Sequence, residues 1–135
     1  TIQAEDYIGY FDSGSGNVGG AYRSDDVDIA PCSDGTPCYY VGWTTTGEWL
    51  SYAVQTTSTR TWSIQVRYAS PYDGRRLRIE VDRAIVAQVR LPASGGWEAW
   101  QTATIGTVTL APGQHTVRVL IDRDGLNINW LMFSQ

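Results

Sequence analysis

Apolar and polar residues alternate along most of this chain. Thr1-Ile2-Gln3-Ala4-Glu5 puts Ile2 and Ala4 on one face of an extended segment and Gln3 and Glu5 on the other. The same period of two runs through residues 61–68, 102–110 and 115–121, and shorter apolar-rich segments occupy 77–81, 85–91 and 127–133. Val41-Gly42-Trp43 and Trp49-Leu50-Ser51-Tyr52-Ala53-Val54 read as two further strands joined by the turn-like Thr44-Thr45-Thr46-Gly47. Between these segments lie turn formers: a glycine-rich stretch at 14–20, Gln55 to Ser58, Pro71-Tyr72-Asp73-Gly74, Pro92 to Gly96, Ala111-Pro112-Gly113-Gln114 and Asp122 to Leu126. No segment shows helical periodicity. Short strands punctuated this regularly predict an all-β domain, a two-sheet antiparallel sandwich of jelly-roll form, because each sheet must cover the other's apolar face. The pattern contains no repeat and no linker, so residues 1–135 form one domain.

Composition narrows the partners. A chain of 135 residues with 42% hydrophobic content buries one proper core. Its net charge of −4 argues against nucleic acid, and no block of like charge or long apolar run suggests a membrane. The opening Thr1-Ile2-Gln3-Ala4-Glu5-Asp6-Tyr7 lacks the charged start and apolar middle of a signal peptide, as expected of a mature fragment. All ten basic residues are arginine, the cation that stacks best on flat apolar surfaces.

The two cysteines, Cys32 and Cys38, enclose Ser33 to Pro37, a stretch of turn formers able to bring the sulfurs together. A disulfide here implies an oxidising, extracellular location. The alternative, a metal pair, lacks further ligands, since the lone histidine, His115, lies far along the chain.

Aromatic residues crowd the stretch from Cys32 to Tyr52. Trp43, Trp49 and Tyr52 are expected in the core, as large aromatics in strands usually are. Tyr39 and Tyr40 follow the pinned loop, where at least one is expected to face a ligand from a rigid base. Trp97 sits beside Gly95 and Gly96 outside any alternating run, which favours exposure. Asp25, Asp26 and Asp28 read as a solvated acidic loop, with Asp26 or Asp28 near a ligand as the lesser reading.

Six segments in order, AEDY, GAYRSDDVDI, YYVGWTTTGEWLSYAV, GGWEAWQT, LAPGQHTVRV and NINWLMF, together cover nearly the whole chain and resemble a family 6 carbohydrate-binding module. The resemblance implies a lectin-like β-sandwich that binds sugar in loops at one end, a structural calcium, and attachment to a secreted glycoside hydrolase as a monomeric accessory module. It implies a sugar ring held between a tyrosine, matched most directly by Tyr39 with Tyr40 as the neighbouring alternative, and Trp97, with Asn127 hydrogen-bonding the hydroxyls. Pyranoses suit such a site, because their C–H faces lie on aromatic planes and their hydroxyls pair with amides. For calcium it implies Gln3, Glu5, the backbone carbonyl near Arg23 and Asn129, where relatives often have aspartate. Gln3 and Glu5, on one face of a strand, are the oxygen donors a hard cation takes. The resemblance also raises a second cleft on the concave face of one sheet, for which Glu48 and Trp100 are candidates.

Hydrolysis needs two carboxyl groups facing each other across a bond, and Glu48, Glu80 and Glu98 show no such pairing in the sequence. Non-catalytic polysaccharide binding is therefore expected, with a small glycoside hydrolase or lyase as the alternative and a lectin-like adhesion domain as a third class. A β-1,3-glucan or agarose-type chain end is the favoured ligand, the Cys32–Cys38 loop closing one end of the site. Xylan and cellulose are the other candidates.

Overall fold

The computed structural model describes residues 1–135. Eleven strands and no helix form it: β1 (Ile2–Gln3), β2 (Gly9–Phe11), β3 (Ile29–Pro31), β4 (Tyr39–Val41), β5 (Trp49–Thr56), β6 (Arg60–Ser70), β7 (Arg75–Val81), β8 (Ala84–Leu91), β9 (Gly96–Leu110), β10 (Gly113–Arg123) and β11 (Asn127–Ser134). They make two antiparallel sheets. One runs β3-β4-β11-β6-β9 with β1 added beside β11, and the other runs β2-β5-β10-β7-β8. This is the sandwich that the alternation predicts.

The long strands form where period two is cleanest. β6 buries Ile64, Val66 and Tyr68 on one face, and β10 buries Val117, Val119 and Ile121 on its own. These inward faces meet in one core of 23 buried residues. Truncating such a residue to alanine costs about 2–5 kcal/mol. Buried tyrosines need a partner for the phenol, and Tyr52 donates to the Ala4 carbonyl at 2.7 Å while Tyr68 donates to that of Pro92 at 2.8 Å.

Two features of the first sheet shape one end of the sandwich. β4 and β1 share the same side of β11, with Val41 opposite Ile128 and Gln3 opposite Trp130. β9 begins at Gly96, earlier than the alternation of 102–110 suggests, and its start pairs with the end of β6 through Ser70 opposite Gly96, past a bulge. Bulges re-aim side chains at sheet ends. Here the bulge brings Trp97 beside the entry of β11.

The arginines use their planar heads. Arg23 lies over Tyr7 at 3.9 Å, Arg118 over Trp49 at 4.3 Å and Arg75 over Tyr72 at 5.4 Å from the ring centroids. Arg67 grips Asp34 with both forks, at 2.8 and 2.6 Å.

Candidate functional site

Where β4 ends and β11 begins lies a cavity of about 270 Å³, lined by Tyr40 on β4, Trp43 and Thr44 in the loop that follows, Trp97 at the start of β9, and Gly125 and Asn127 at the entry of β11. Thr44 donates its hydroxyl hydrogen to the Leu126 carbonyl at 3.0 Å, tying the loop after β4 to the one before β11. Ser70, fully buried, donates from Oγ to the Gly125 carbonyl at 2.6 Å and accepts from the Tyr72 amide at 3.1 Å. Its own amide donates to Ser94 Oγ at 2.9 Å, which draws in the loop that leads to Trp97 at the start of β9.

One wall is aromatic and continuous. The rings of Tyr40 and Trp43 lie within 14° of parallel with centroids 6.3 Å apart, and Trp100 packs behind Tyr40 at 5.5 Å. Burial and the nearby Glu98 carboxylate raise the Tyr40 pKa above the usual phenol value, so this ring is neutral at physiological pH. Trp97, 46% exposed, supplies the other wall. Asn127 links the two. Its Nδ2 donates to the Trp97 carbonyl at 2.6 Å, while a side chain at Gly42 would meet both Asn127 Oδ1 and the Tyr40 ring at 2.7 Å. A carbonyl can only accept, so Nδ2 must face Trp97. Oδ1 is free to accept a further hydrogen bond.

Of the two candidate tyrosines, Tyr40 lines the cavity. Tyr39 points the other way, packs against the core and meets the Tyr22 ring at 5.0 Å. Successive side chains of a strand face opposite sides, so only one of the pair can reach the cavity. The alternation reading placed Trp43 in the core, and the structure reverses this. The strand stops at Val41, and Trp43 is 50% exposed at φ 47°, a left-handed conformation that a bulky residue adopts only where its surroundings impose it. Trp49 is half-buried under Arg118, and Tyr52 is in the core as expected. Thr44, Gly125 and Tyr72 were not singled out from the sequence at all.

Cys32 and Cys38 are joined, with Cα atoms 5.1 Å apart. Asp34, within their loop, binds Arg67 on β6 and accepts from Asn129 Nδ2 at 2.9 Å. The Arg67 hydrogen bonds, helped by its charge and by Asn129, hold the Asp34 carboxyl below the usual range. The Ser33 amide donates to Glu98 at 3.1 Å. The loop thus lies across β11 and β6, next to Tyr40.

The expected calcium ligands are partly gathered. Glu5 is buried, and its Oε2 has no partner in the chain. Desolvation, outweighing a hydrogen bond from its own amide, pushes its pKa up to about 7, with the Asp6 charge adding to the rise. Arg23 stands close, its guanidinium donating to the Glu5 carbonyl at 3.2 Å, while its own carbonyl accepts from Asn17 at 2.9 Å. The shared strand face read from the alternation does not form: β1 ends at the exposed Gln3, and the chain turns there, the Asp6 amide donating to the Gln3 carbonyl at 3.1 Å, so Glu5 lies buried in the turn beyond. Asn129 turns its amide to Asp34 and Cys38, away from this group, and no three acidic, histidine or cysteine side chains converge on a common point.

The remaining acidic candidates serve the fold. Glu48 is buried and accepts from Ser13 Oγ and the amides of Ser13 and Thr45, and it borders only a small pocket of about 20 Å³. Asp26 and Asp28 are not a solvated run. They accept from the amides of Gly16 and Val18 and pin the glycine-rich loop, whose N–H groups would otherwise lack partners.

Residues 23–133 match the family model described as carbohydrate binding module (family 35). Among solved structures, the chain is similar to the C-terminal family 6 module of a marine laminarinase from Zobellia galactanivorans, at 28% identity and TM-score 0.80 over 99% of this chain and 97% of that one. It is as similar to a family 6 module from a Cellvibrio mixtus lichenase, solved with cellotriose, at 29% identity and TM-score 0.80 over 99% and 95% of the chains. A β-1,3-glucan-binding family 6 module from Bacillus halodurans follows at 28% identity and TM-score 0.76, over 99% and 94%. The resemblance to family 6 therefore appears as structural kinship, while the matching family model is that of family 35. Among curated proteins, the clotting factor G alpha subunit of Tachypleus tridentatus is 26% identical over 92 residues, covering 66% of this chain and 14% of that subunit. The chain spans a small part of the length of such relatives.

Proposed function

The chain belongs to carbohydrate-binding module family 35, a non-catalytic binding domain, and from that premise we propose that it holds the end of a neutral glucan chain of β-1,3 type between Tyr40 and Trp97. One observation carries this reading. The cavity joins two aromatic walls through a side-chain amide and has no carboxylate in its lining. Sugar C–H faces lie against the rings, and a hydroxyl donates to Asn127 Oδ1. No carboxyl pair stands there to cleave a glycosidic bond. At about 270 Å³ the space lies at the small end of ligand pockets, which suits a chain end better than a long internal segment. The β-1,3 linkage is favoured because similar modules come from a laminarinase and from a β-1,3-glucan binder. A cellulose-type chain is the second reading, since another similar module was solved with cellotriose.

Two of these similar modules belong to glycan-degrading enzymes, and the chain is short beside its curated relatives. The module accordingly acts in a secreted protein, keeping an attached glycoside hydrolase at its substrate. Affinity electrophoresis through gels containing laminarin, xylan, hydroxyethylcellulose or agarose tests the binding. Retardation by laminarin above the others is expected; retardation by none rejects the reading. Release of reducing ends from these glycans by the isolated chain would contradict its non-catalytic role.

We propose in addition that the chain holds a cation. A buried, unpartnered Glu5 oxygen suits a calcium ion, with Gln3 and nearby carbonyls as neutral donors and Arg23 at the edge. The ion would neutralise the buried carboxylate and tie the N-terminal segment to the sandwich. It lies outside the sugar cavity and takes no part in binding.

A further inference from the structure

Beside the cavity stands a ring that no part of the reading so far uses. Tyr72 is 51% exposed on the turn between β6 and β7. Its ring meets that of Trp97 edge to face, with centroids 5.6 Å apart at 85°. It also borders Gly125, one of the cavity residues, since a side chain there would meet Tyr72 Cδ2 at 3.1 Å. An exposed aromatic ring continuous with a binding cavity has a cost in water and calls for an explanation.

The turn that carries it is rigid. Ser70 Oγ accepts from the Tyr72 amide at 3.1 Å and donates to the Gly125 carbonyl at 2.6 Å, so the turn moves with the cavity floor. Arg75 caps one side of the ring, with its guanidinium 5.4 Å from the centroid. Three of its N–H groups donate to backbone carbonyls, from Nε and Nη2 to Asp73 and from Nη1 to Asp124. A guanidinium carries five such hydrogens, so about two remain for a ligand. A fixed aromatic plane flanked by unspent donors is what a pyranose requires: a flat surface for its C–H face and partners for its hydroxyl oxygens.

We propose that Tyr72, with Arg75 beside it, is a second sugar platform next to the Trp97 wall, taking the next neutral hexopyranose unit of the chain whose end fills the cavity. The inference rests on the sugar-binding reading of that cavity. It makes the site longer than the cavity, and it makes affinity depend on chain length.

Isothermal titration with the glucose monosaccharide and with β-1,3-linked glucose di-, tri- and tetrasaccharides tests it on the wild-type chain, Tyr72→Ala and Tyr72→Phe. For the wild type, an added unit on the platform should tighten binding about tenfold. Tyr72→Ala should remove that gain and leave the shortest bound sugar unaffected, and Tyr72→Phe, which keeps the plane, should retain it. Equal affinities for all lengths in the wild type would overturn the platform while leaving the cavity reading intact. A uniform loss at every length in Tyr72→Ala would overturn it too, making Tyr72 a mere prop for Trp97. A wild-type chain that binds none of the four overturns the β-1,3 reading, and the platform built on it, together.

Discussion

Asn127 Nδ2 donates to the Trp97 carbonyl oxygen at 2.6 Å, so the residue that begins β11 also fixes the opposite wall of the cavity. The two parts of the site are therefore coupled. Gly42 lies beneath them, and a methyl group there would sit 2.7 Å from Asn127 Oδ1 and 2.7 Å from the Tyr40 ring. Gly42→Ala should displace both groups and weaken sugar binding at least about tenfold, since core overpacking costs roughly 1–3 kcal/mol. Calorimetry checks the affinity, and circular dichroism checks that the sheets persist.

The adjacent tyrosines should separate cleanly. Tyr40→Ala removes a cavity wall and should reduce affinity about thirtyfold, for a loss of about 2 kcal/mol of stacking. Tyr39→Ala empties space against the core and should lower the melting temperature instead, with affinity nearly unchanged. Thermal melts and calorimetry on the two variants would reveal the opposite assignment by an exchange of these phenotypes.

Removing divalent ions should lower the melting temperature, because a ligand bound only to the folded chain stabilises it by mass action. Differential scanning fluorimetry with and without a chelator measures this, and Glu5→Gln should abolish the chelator's effect. An unchanged melting temperature in purified protein that contains no ion would remove the calcium assignment.

His115 is the chain's lone histidine, so its titration is directly readable. Both ring nitrogens face acceptors, Nδ1 the Asp82 carboxylate at 2.6 Å and Nε2 the Ala111 carbonyl at 2.7 Å. The Asp82 hydrogen bond, with help from the Ala111 carbonyl, raises the histidine pKa, and the same contact lowers that of Asp82. A histidine raised in the folded state contributes stability fully below its unfolded value, about 6.5, and loses it as pH climbs through the raised value. For Asp82 the sense is opposite, and its contribution fades as pH falls through the depressed carboxyl value. The tie is thus strongest at mildly acidic pH. Proton NMR should show His115 titrating above 6.5, with Asp82→Asn returning it toward that value.

The long strands were legible because burial on one face imposes period two over many residues, as Ile64, Val66 and Tyr68 show. β2 and β3 were not, since three residues carry too little alternation to register, and β4 begins two residues before the strand read at Val41-Gly42-Trp43. The exposure of Trp97 was legible from its flanking glycines, whereas Asn127 stood out only through the family resemblance. Trp43 could not, because period two continued through Gly42 makes it a core residue. Only the positive φ after the strand stops at Val41 turns the ring outward. The neighbouring Gly42 and the following Thr-Thr-Thr-Gly turn were the available signals for that break. Tyr72 reaches Trp97 through contacts between segments about two dozen residues apart, which no local pattern encodes.

The most direct test is calorimetric titration of Trp97→Ala with a β-1,3-linked glucose trisaccharide, beside the wild-type chain and Asn127→Ala. Trp97 is exposed, so its loss should leave the melting temperature almost unchanged while removing measurable binding. Asn127→Ala should weaken binding severely, because the sugar hydroxyl and the Trp97 carbonyl each lose a partner at about 1–3 kcal/mol. Full-strength binding by Trp97→Ala would show that the sugar does not lie between Tyr40 and Trp97, and would contradict the account.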